Sequence, residues 1–574
     1  MSNEHVGINV IEGVTLSPIS GISTAITGII GTFKKGPLNK ATLVTSLAQF
    51  ERTFGTAPAP GSTSYYSVKA FFAKAGNAPL YIVRVAGSTV LKASYTAVDR
   101  QGSPASTLKI EAKTEGLWGN GISIKILDNV ILSTKPAVTI SAAATEATLV
   151  ATEGLEIGSD LKFYNGTQTE YKRLTNVDHA AKKVYWTGGL TYAYTTVNGV
   201  ITSMEFSIEV YWNGVLTESL TGFSMNNAVS FHIVKKLSSN YIIATDLKTT
   251  DTAYTDLPAV ISTPQVLASG NDGLSGILAA NYVGTQSAKT GVYAFDAVPD
   301  LFRFACPNPL LTDSVPATAY EQLVQSLLDY ANLRGTVEFY GDIPYGNSVT
   351  NALAFGQKFV GRRLCFFWPW LKVVESGLDA WLPPSTFALG AAVDKDYKRG
   401  VHKNIGNETI AYATALEYDV SVAEGEVLND GSVNTIRSMT GRGIVIYGGR
   451  CRSAVTAFRF LNFSEYWNYI AKSLELNTQD VPFEPNNMTL WKTVVRRISA
   501  FLANEQKRGA LFDANNPTGP AYAVVMDATN NPADQVALGI ARVQVEYVPT
   551  GTAEKFIIEL TSSPTGLTTV NQES

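Results

Sequence analysis

Residues 483–511 read FEPNNMTLWKTVVRRISAFLANEQKRGAL. Apolar residues fall at Leu490, Trp491, Val494, Val495, Ile498, Phe501 and Leu502, a spacing that traces one face of an α-helix. Pro485 followed by Asn486 and Asn487 supplies a turn and an Asn N-cap, and Gly509 supplies a stop. From 486 to 511 the other positions carry Lys492, Arg496, Arg497, Lys507 and Arg508 against the single acid Glu505. The helix therefore has one face for a core and one basic face for something acidic, in a chain whose net charge is −4. The plain alternative is a solvated surface helix, which is what most charge runs are.

Working outward, 574 residues are too many for one ordinary core and suggest three or four domains. Only 16% of the residues are charged, so part of the surface is available to become an interface on assembly. Forty-seven glycines, with abundant Thr, Val and Tyr, favour much β structure. The acidic balance argues against nucleic acid as the main partner. Cys306, Cys365 and Cys451 lie far apart, without a CxxC or a Cys/His cluster, and read as buried thiols in a reducing compartment. The opening MSNEHVGINVIEG has no secretion-signal pattern. The longest apolar run, Leu364–Leu371, is too short to span a membrane and contains a proline. No membrane insertion is expected.

In chain order, residues 1–20 form an N-terminal arm, whose alternating Val6, Ile8 and Val10 predict a strand with no local partner. Residues 21–90 read strand–helix–helix–strand, with TLVTSLAQFERTFG as the first helix, and begin a central α/β domain. Residues 91–265 read as inserted β domains. Turns at Asn165-Gly166 and Asn213-Gly214 mark hairpins, and a nested β module spans about 138–202. Residues 266–430 return to α/β, with RRLCFFWPWLKV as a buried strand of a sheet covered on both faces. Residues 431–545 make an α+β C-terminal domain. Residues 546–574 are a C-terminal arm, in which Phe556, Ile558 and Leu560 alternate as a second orphan strand.

Catalytic signatures are missing from the sequence. There is no HExxH, GxSxG or GxxxxGK[ST], and the glycines at 441, 443, 448 and 449 do not make GxGxxG. His5, His179, His232 and His402 stand in unrelated contexts. Asp160 and Asp178 lack a calcium-loop pattern, and turn or cap roles serve for Asp342 and Asp394 as well as catalytic ones do. No catalytic residue, cofactor site or metal site is assigned.

Several segments together resemble the sheath proteins of contractile phage tails and related injection machines. They are the opening stretch continued to Phe512, PPSTFALGAAVDKDYKRGVHKN, RSMTGRGIVIYGGR, and GVTLSPISGISTAITGIIGTFKKGPLNKATLVTSLAQFERTFG followed by YIVRVAG. Their order and spacing agree over most of the chain outside the β insertion. The third segment departs from the family, which often has a tryptophan after its glycine; here Ile446-Tyr447-Gly448 stands in its place. The resemblance implies a subtilisin-like central α/β domain without a catalytic triad, and a structural protein rather than an enzyme. It implies hexameric rings stacked helically around a rigid tube, linked through arms that complete neighbouring sheets, with contraction by rigid-body rearrangement. The implied partners are further copies of the chain, the tail tube protein, and baseplate and neck or tail-terminator proteins. The implied location is the virion tail, assembled in a bacterial cytoplasm. The tube contacts would be Lys492, Arg496, Arg497, Lys507 and Arg508, and the β insertion would face outward. A headless bacteriocin or another injection system would use a similar sheath. The readings of a different class are a hydrolase with a β accessory domain and a carbohydrate-binding surface protein.

Overall fold

The computed structural model describes residues 18–56, 63–248, 254–274, 276–307, 317–375 and 378–554. Its central sheet has eight strands. They are β1 (Thr27–Gly31), β2 (Thr42–Val44), β3 (Leu80–Arg84), β4 (Arg303–Ala305), β5 (Glu338–Asp342), β6 (Leu364–Trp368), β7 (Val433–Met439) and β8 (Gly443–Tyr447). Across the sheet they run β2-β3-β1-β4-β5-β6-β7-β8. The pairs from β3 to β7 are parallel, and the edge strands β2 and β8 are antiparallel to their neighbours.

A parallel sheet needs both faces covered, because its crossovers place helices there. The strand residues divide accordingly. Ile29, Ile82, Tyr340, Cys365, Phe367 and Ile436 pack on one side with helices α1 (Leu47–Phe54), α2 (Ser64–Ala75) and, further along the chain, Ser385–Arg399. Ile30, Val83, Phe339, Phe366, Trp368 and Val433 pack on the other with α3 (Ala317–Arg334), α4 (Val349–Gln357) and Val422–Asp430. The helix Ser385–Arg399 is α5, and Val422–Asp430 is α6.

Three expectations need correction. The run RRLCFFWPWLKV is not one strand. It divides at Pro369, which cannot donate to a ladder, and Leu371–Glu375 pairs instead with Leu378–Leu382 and Ala415–Leu416 in a separate sheet. The segment Thr42–Val44 is strand rather than helix. Helix α1 begins only after Ser46, whose side chain accepts the Gln49 N–H at 3.2 Å. Finally, Val433–Tyr447, assigned from sequence to the C-terminal domain, closes the central sheet as a hairpin on β6.

Between Ser94 and Val266 the chain is β-rich. A four-stranded and a three-stranded sheet share a core that includes Leu108, Ile110, Ile124, Ile208, Val210 and Phe223. Their hairpin at Asn213-Gly214 has φ of +47° and +83°, the conformation that favours this residue pair. A six-stranded sheet between Ser133 and Ser203 has a separate core built on Leu161, Phe163, Trp186, Tyr194 and Ile201.

After the central sheet the described chain includes helices α7 (Leu461–Asn477) and α8 (Met488–Lys507) and a two-stranded sheet of β9 (Tyr522–Val525) and β10 (Gln544–Tyr547). One face of that sheet, with Tyr522, Val524, Val545 and Tyr547, packs on the core between the helices.

The strands flanking the six-stranded sheet pair with each other, Asn129 opposite Glu205, so the module enters and leaves through adjacent points. Replacing residues 131–203 by a short turn is expected to leave a cooperatively unfolding protein with native near-UV circular dichroism. A molten or aggregated product would show that the module is needed for folding.

Candidate functional site: the basic helix and its anchorage

Helix α8 begins where its residues dictate. The Asn487 side chain accepts the N–H groups of Thr489 and Leu490 at 2.9 and 3.1 Å. At the far end Gly509 takes φ +79°, which a side chain would resist. Leu490, Val494, Ile498, Phe501 and Leu502 are buried against Tyr466 and Tyr469 of α7 and Ala521 and Met526.

The opposite face exposes Lys492, Arg496 and Lys507, along about 22 Å of one helical stripe. None of the three has an ion-pair partner among the described residues. Arg508, also exposed, pairs with Glu505 at 3.2 Å.

Arg497 is a correction to the sequence reading. It is only 7% exposed, and its guanidinium donates to Asp480 at 3.1 Å and to the Asn477 carbonyl at 2.6 Å. One position past Arg496, it turns by about 100° toward the α7–α8 connection and ties that connection down. Glu505 is also withdrawn from the surface, at 5% exposure, where it accepts from the Tyr466 and Tyr469 hydroxyls. The acid counted against the bases in sequence therefore pairs in space with Arg508 and not with Lys492, Arg496 or Lys507 among the described residues. Val6, Ile8, Val10, Phe556, Ile558 and Leu560 lie outside the described residues.

The helix pair is joined to the central sheet by a buried group of charges that the sequence reading missed. Arg303 of β4 is 0% exposed. Its Nη2 donates to Asp396 and to Glu465, each at 2.8 Å, its Nη1 donates to the Thr24 carbonyl at 2.8 Å, and its Nε also bonds Glu465. Lys395 lies 2.5 Å from Asp396 and donates to the Lys403 carbonyl at 2.8 Å. Burial works to raise the Asp396 carboxyl, but Arg303 and Lys395 hold it below the usual range. Tyr340 donates to Glu465 at 2.7 Å.

Beside them, Glu338 of β5 accepts from Ser464 at 3.2 Å and Asn468 at 3.0 Å. Burial first, and then the Glu465 charge, push its carboxyl up to about 8. The only sequence signal was a charge inside each apolar strand run, Arg303 in FRFACP and Glu338 in TVEFY.

Asp342, left open between cap and catalysis, acts as a cap. It accepts both the N–H and the hydroxyl of Ser385 at the start of α5, each at 2.7 Å, and burial pushes its carboxyl up to about 7. All three cysteines are buried and unbridged. Among the described residues no three His, Cys, Asp or Glu side chains are grouped to hold a metal, and no helix is long and apolar enough to cross a membrane.

No family model matches the chain. A curated relative does: it is 22% identical over 306 residues to the tail sheath protein of Burkholderia phage BcepMu, a match covering 49% of this chain and 61% of that protein. The fold is that of contractile sheath proteins. The sheath tail protein of Listeria innocua aligns over 93% of this chain and 96% of its own, with a TM-score of 0.55 and 12% identity. The helical sheath of the anti-feeding prophage, in its contracted state, aligns over 98% and 100%, with a TM-score of 0.53 and 14% identity.

Two outcomes are expected. Arg497→Ala should lower stability by about 1–3 kcal/mol by stranding Asp480 and the Asn477 carbonyl, whereas Arg496→Glu should change it by less than about 0.5 kcal/mol. Denaturant melts of both variants check the assignment; equal effects would contradict it.

The second concerns Glu338. Its carboxyl is raised from 4.5 to about 8, so the native state holds a proton that the unfolded chain releases. That contribution to stability is complete below pH 4.5 and is lost as pH rises toward 8, at up to about 1.4 kcal/mol per pH unit. Glu338→Gln should remove this slope between pH 5 and 8, seen in denaturant melts across that range; an unchanged slope would contradict the assignment.

Proposed function

We propose that the chain is the subunit of a contractile sheath, in a phage tail or a related injection machine. Copies stack as hexameric rings in a helix around a rigid tube and contract by rigid-body rearrangement, driving the tube through the host envelope. The phage relative favours a phage tail over a headless bacteriocin. In this reading the particle is assembled in the host cytoplasm, its ends meet baseplate and neck or tail-terminator proteins, and the chain catalyses no reaction. The central sheet is a subtilisin-type scaffold in structural use, with the Ser385 hydroxyl committed to Asp342.

The observation that carries the proposal is how the described chain is anchored near residues 18–22 and at residue 554. Ser20 is bonded to Asn477 and Ile22 to Ser473, both on α7, and Ile19 and Ile22 pack on the core of the C-terminal helices. At the other end Glu554 is held by Arg450, itself only 6% exposed. Between these roots the β9–β10 sheet has two strands only, so among the described residues its outer edges are unpaired. Two firmly rooted ends beside an open ribbon support the exchange of residues 1–17 and 555–574 between copies as added strands.

Lys492, Arg496, Lys507 and Arg508 would then face an acidic tube, in contacts individually weak enough to form and break. The β domains of 91–265 would face outward and add bulk.

Negative-stain electron microscopy of the full chain and of a chain lacking residues 1–17 tests this. Rings or hollow tubes from the full chain, absent from the truncated one, are expected, alone or on added tail tubes. Equal polymerisation of both would remove the role of the arm, and a full chain that stays monomeric even with tubes would overturn the proposal.

A further inference from the structure

We propose that Phe483 is an apolar knob that seats in a recess of the same partner that the basic face of α8 engages. The inference rests on the tube-contact reading of α8 and adds a second kind of contact to it.

Phe483 is an anomaly within the monomer. Its relative exposure is 108%, so its ring is packed against none of the described residues. Its φ is +73°, in the left-handed region that bulky side chains avoid. A phenyl group in water gains nothing from folding, and the backbone conformation costs something, so the surroundings must impose both.

They do so from two sides. Arg497 pins the start of the loop through Asp480 and the Asn477 carbonyl. Asn486 pins its end, accepting from the Trp491 indole at 2.7 Å and donating to the Ile540 carbonyl at 3.0 Å. Between them, turn bonds run from Val481 N–H to Thr478 and from Glu484 N–H to Val481. Phe483 therefore projects from a braced base, and little ordering remains to be done when it binds.

The neighbourhood points to the occupant. Met488, Leu538 and Ile540 are also exposed, at 63%, 72% and 41%, around the Asn486–Ile540 bond. Met488 lies one helical turn before Lys492, on the same side of α8, so the apolar group runs directly into the unpaired cations Lys492, Arg496 and Lys507. An exposed aromatic ring five residues before Met488, with a row of cations starting one turn after it, fits an acidic protein wall with an apolar recess. Charge alone fixes no register, because exposed ion pairs are weak and screened by salt. A buried aromatic anchor does fix register, and such anchors dominate interface energetics.

The test compares Phe483→Asn, Phe483→Tyr and Lys492→Glu/Arg496→Glu in the full-length protein, using isolated tail tubes as the probe. Asn tolerates positive φ, so Phe483→Asn should melt at or above the parent temperature. A clear fall would mean that the ring has a structural role in the monomer and would overturn the proposal. Binding of Phe483→Asn to tubes should fall by about tenfold or more with an unchanged salt dependence, and Phe483→Tyr should restore most of it. The charge-reversed protein should also lose binding, and with it most of the salt dependence. Parent-like tube binding by Phe483→Asn, with loss only in the charge-reversed protein, overturns the knob and leaves the tube reading standing. Parent-like binding by both overturns both. Normal tube binding by Phe483→Asn with loss of self-assembly assigns the recess to a second copy of this chain and likewise overturns the proposal.

Discussion

The structure depends most on the Arg303 guanidinium. A buried, unpaired arginine would cost several kcal/mol, so the fold must bring acceptors to it. It does so from three distant places in the chain: the Thr24 carbonyl just before the first strand, Asp396 on α5 and Glu465 on α7. The fork of donors is rigid and planar, so those acceptors are satisfied in one relative placement of sheet, α5 and α7. A purely apolar junction would be easier to stabilise but would tolerate sliding. The charged junction makes the central sheet and the C-terminal helices one body. Glu338 sharpens this, because burial and the Glu465 charge on α7 together raise its carboxyl, while Ser464 and Asn468 of α7 bond to it.

A stiff junction behind α8 has consequences in front of it. The helix turns Glu505 inward and Lys492, Arg496 and Lys507 outward, so its charge is one-sided in a way that its composition understates. Arg497 spends its charge on the loop that follows α7, and that same loop carries Phe483. The two neighbouring arginines thus do different jobs. One presents charge to the outside, and the other holds the platform on which an exposed aromatic ring is displayed. The proposed assembly rearranges by moving rigid bodies, and there a body that keeps its contact surface in fixed relation to its sheet is the useful arrangement.

Much of this was legible in the residues. The apolar spacing of 490–502 and the Asn487 cap specify helix α8, because both are local: helical period and a side chain reaching two or three residues along its own backbone. The hairpin at Asn213-Gly214 is local for the same reason. Errors arose where the deciding partner was remote. Val433–Tyr447 carries strand propensity whichever sheet it joins, and only pairing with β6 places it in the central one. Pro369 marks a break, but not which sheet receives the chain after it.

The sequence by itself determined that α8 has an apolar face and a basic one, that the chain is α/β with inserted β modules, and that its segments run in the order of a sheath protein. Periodicity, capping and turn chemistry act over a few residues and need no knowledge of the rest. Only the tertiary structure decided which charges are interior. Arg303, Asp396, Glu465 and Glu338 became a buried network, Arg497 became a brace, and Lys492, Arg496 and Lys507 have no ion-pair partner among the described residues. The physical reason is that burying a charge is tolerable only with partners in place, and those partners stand tens to hundreds of residues away along the chain.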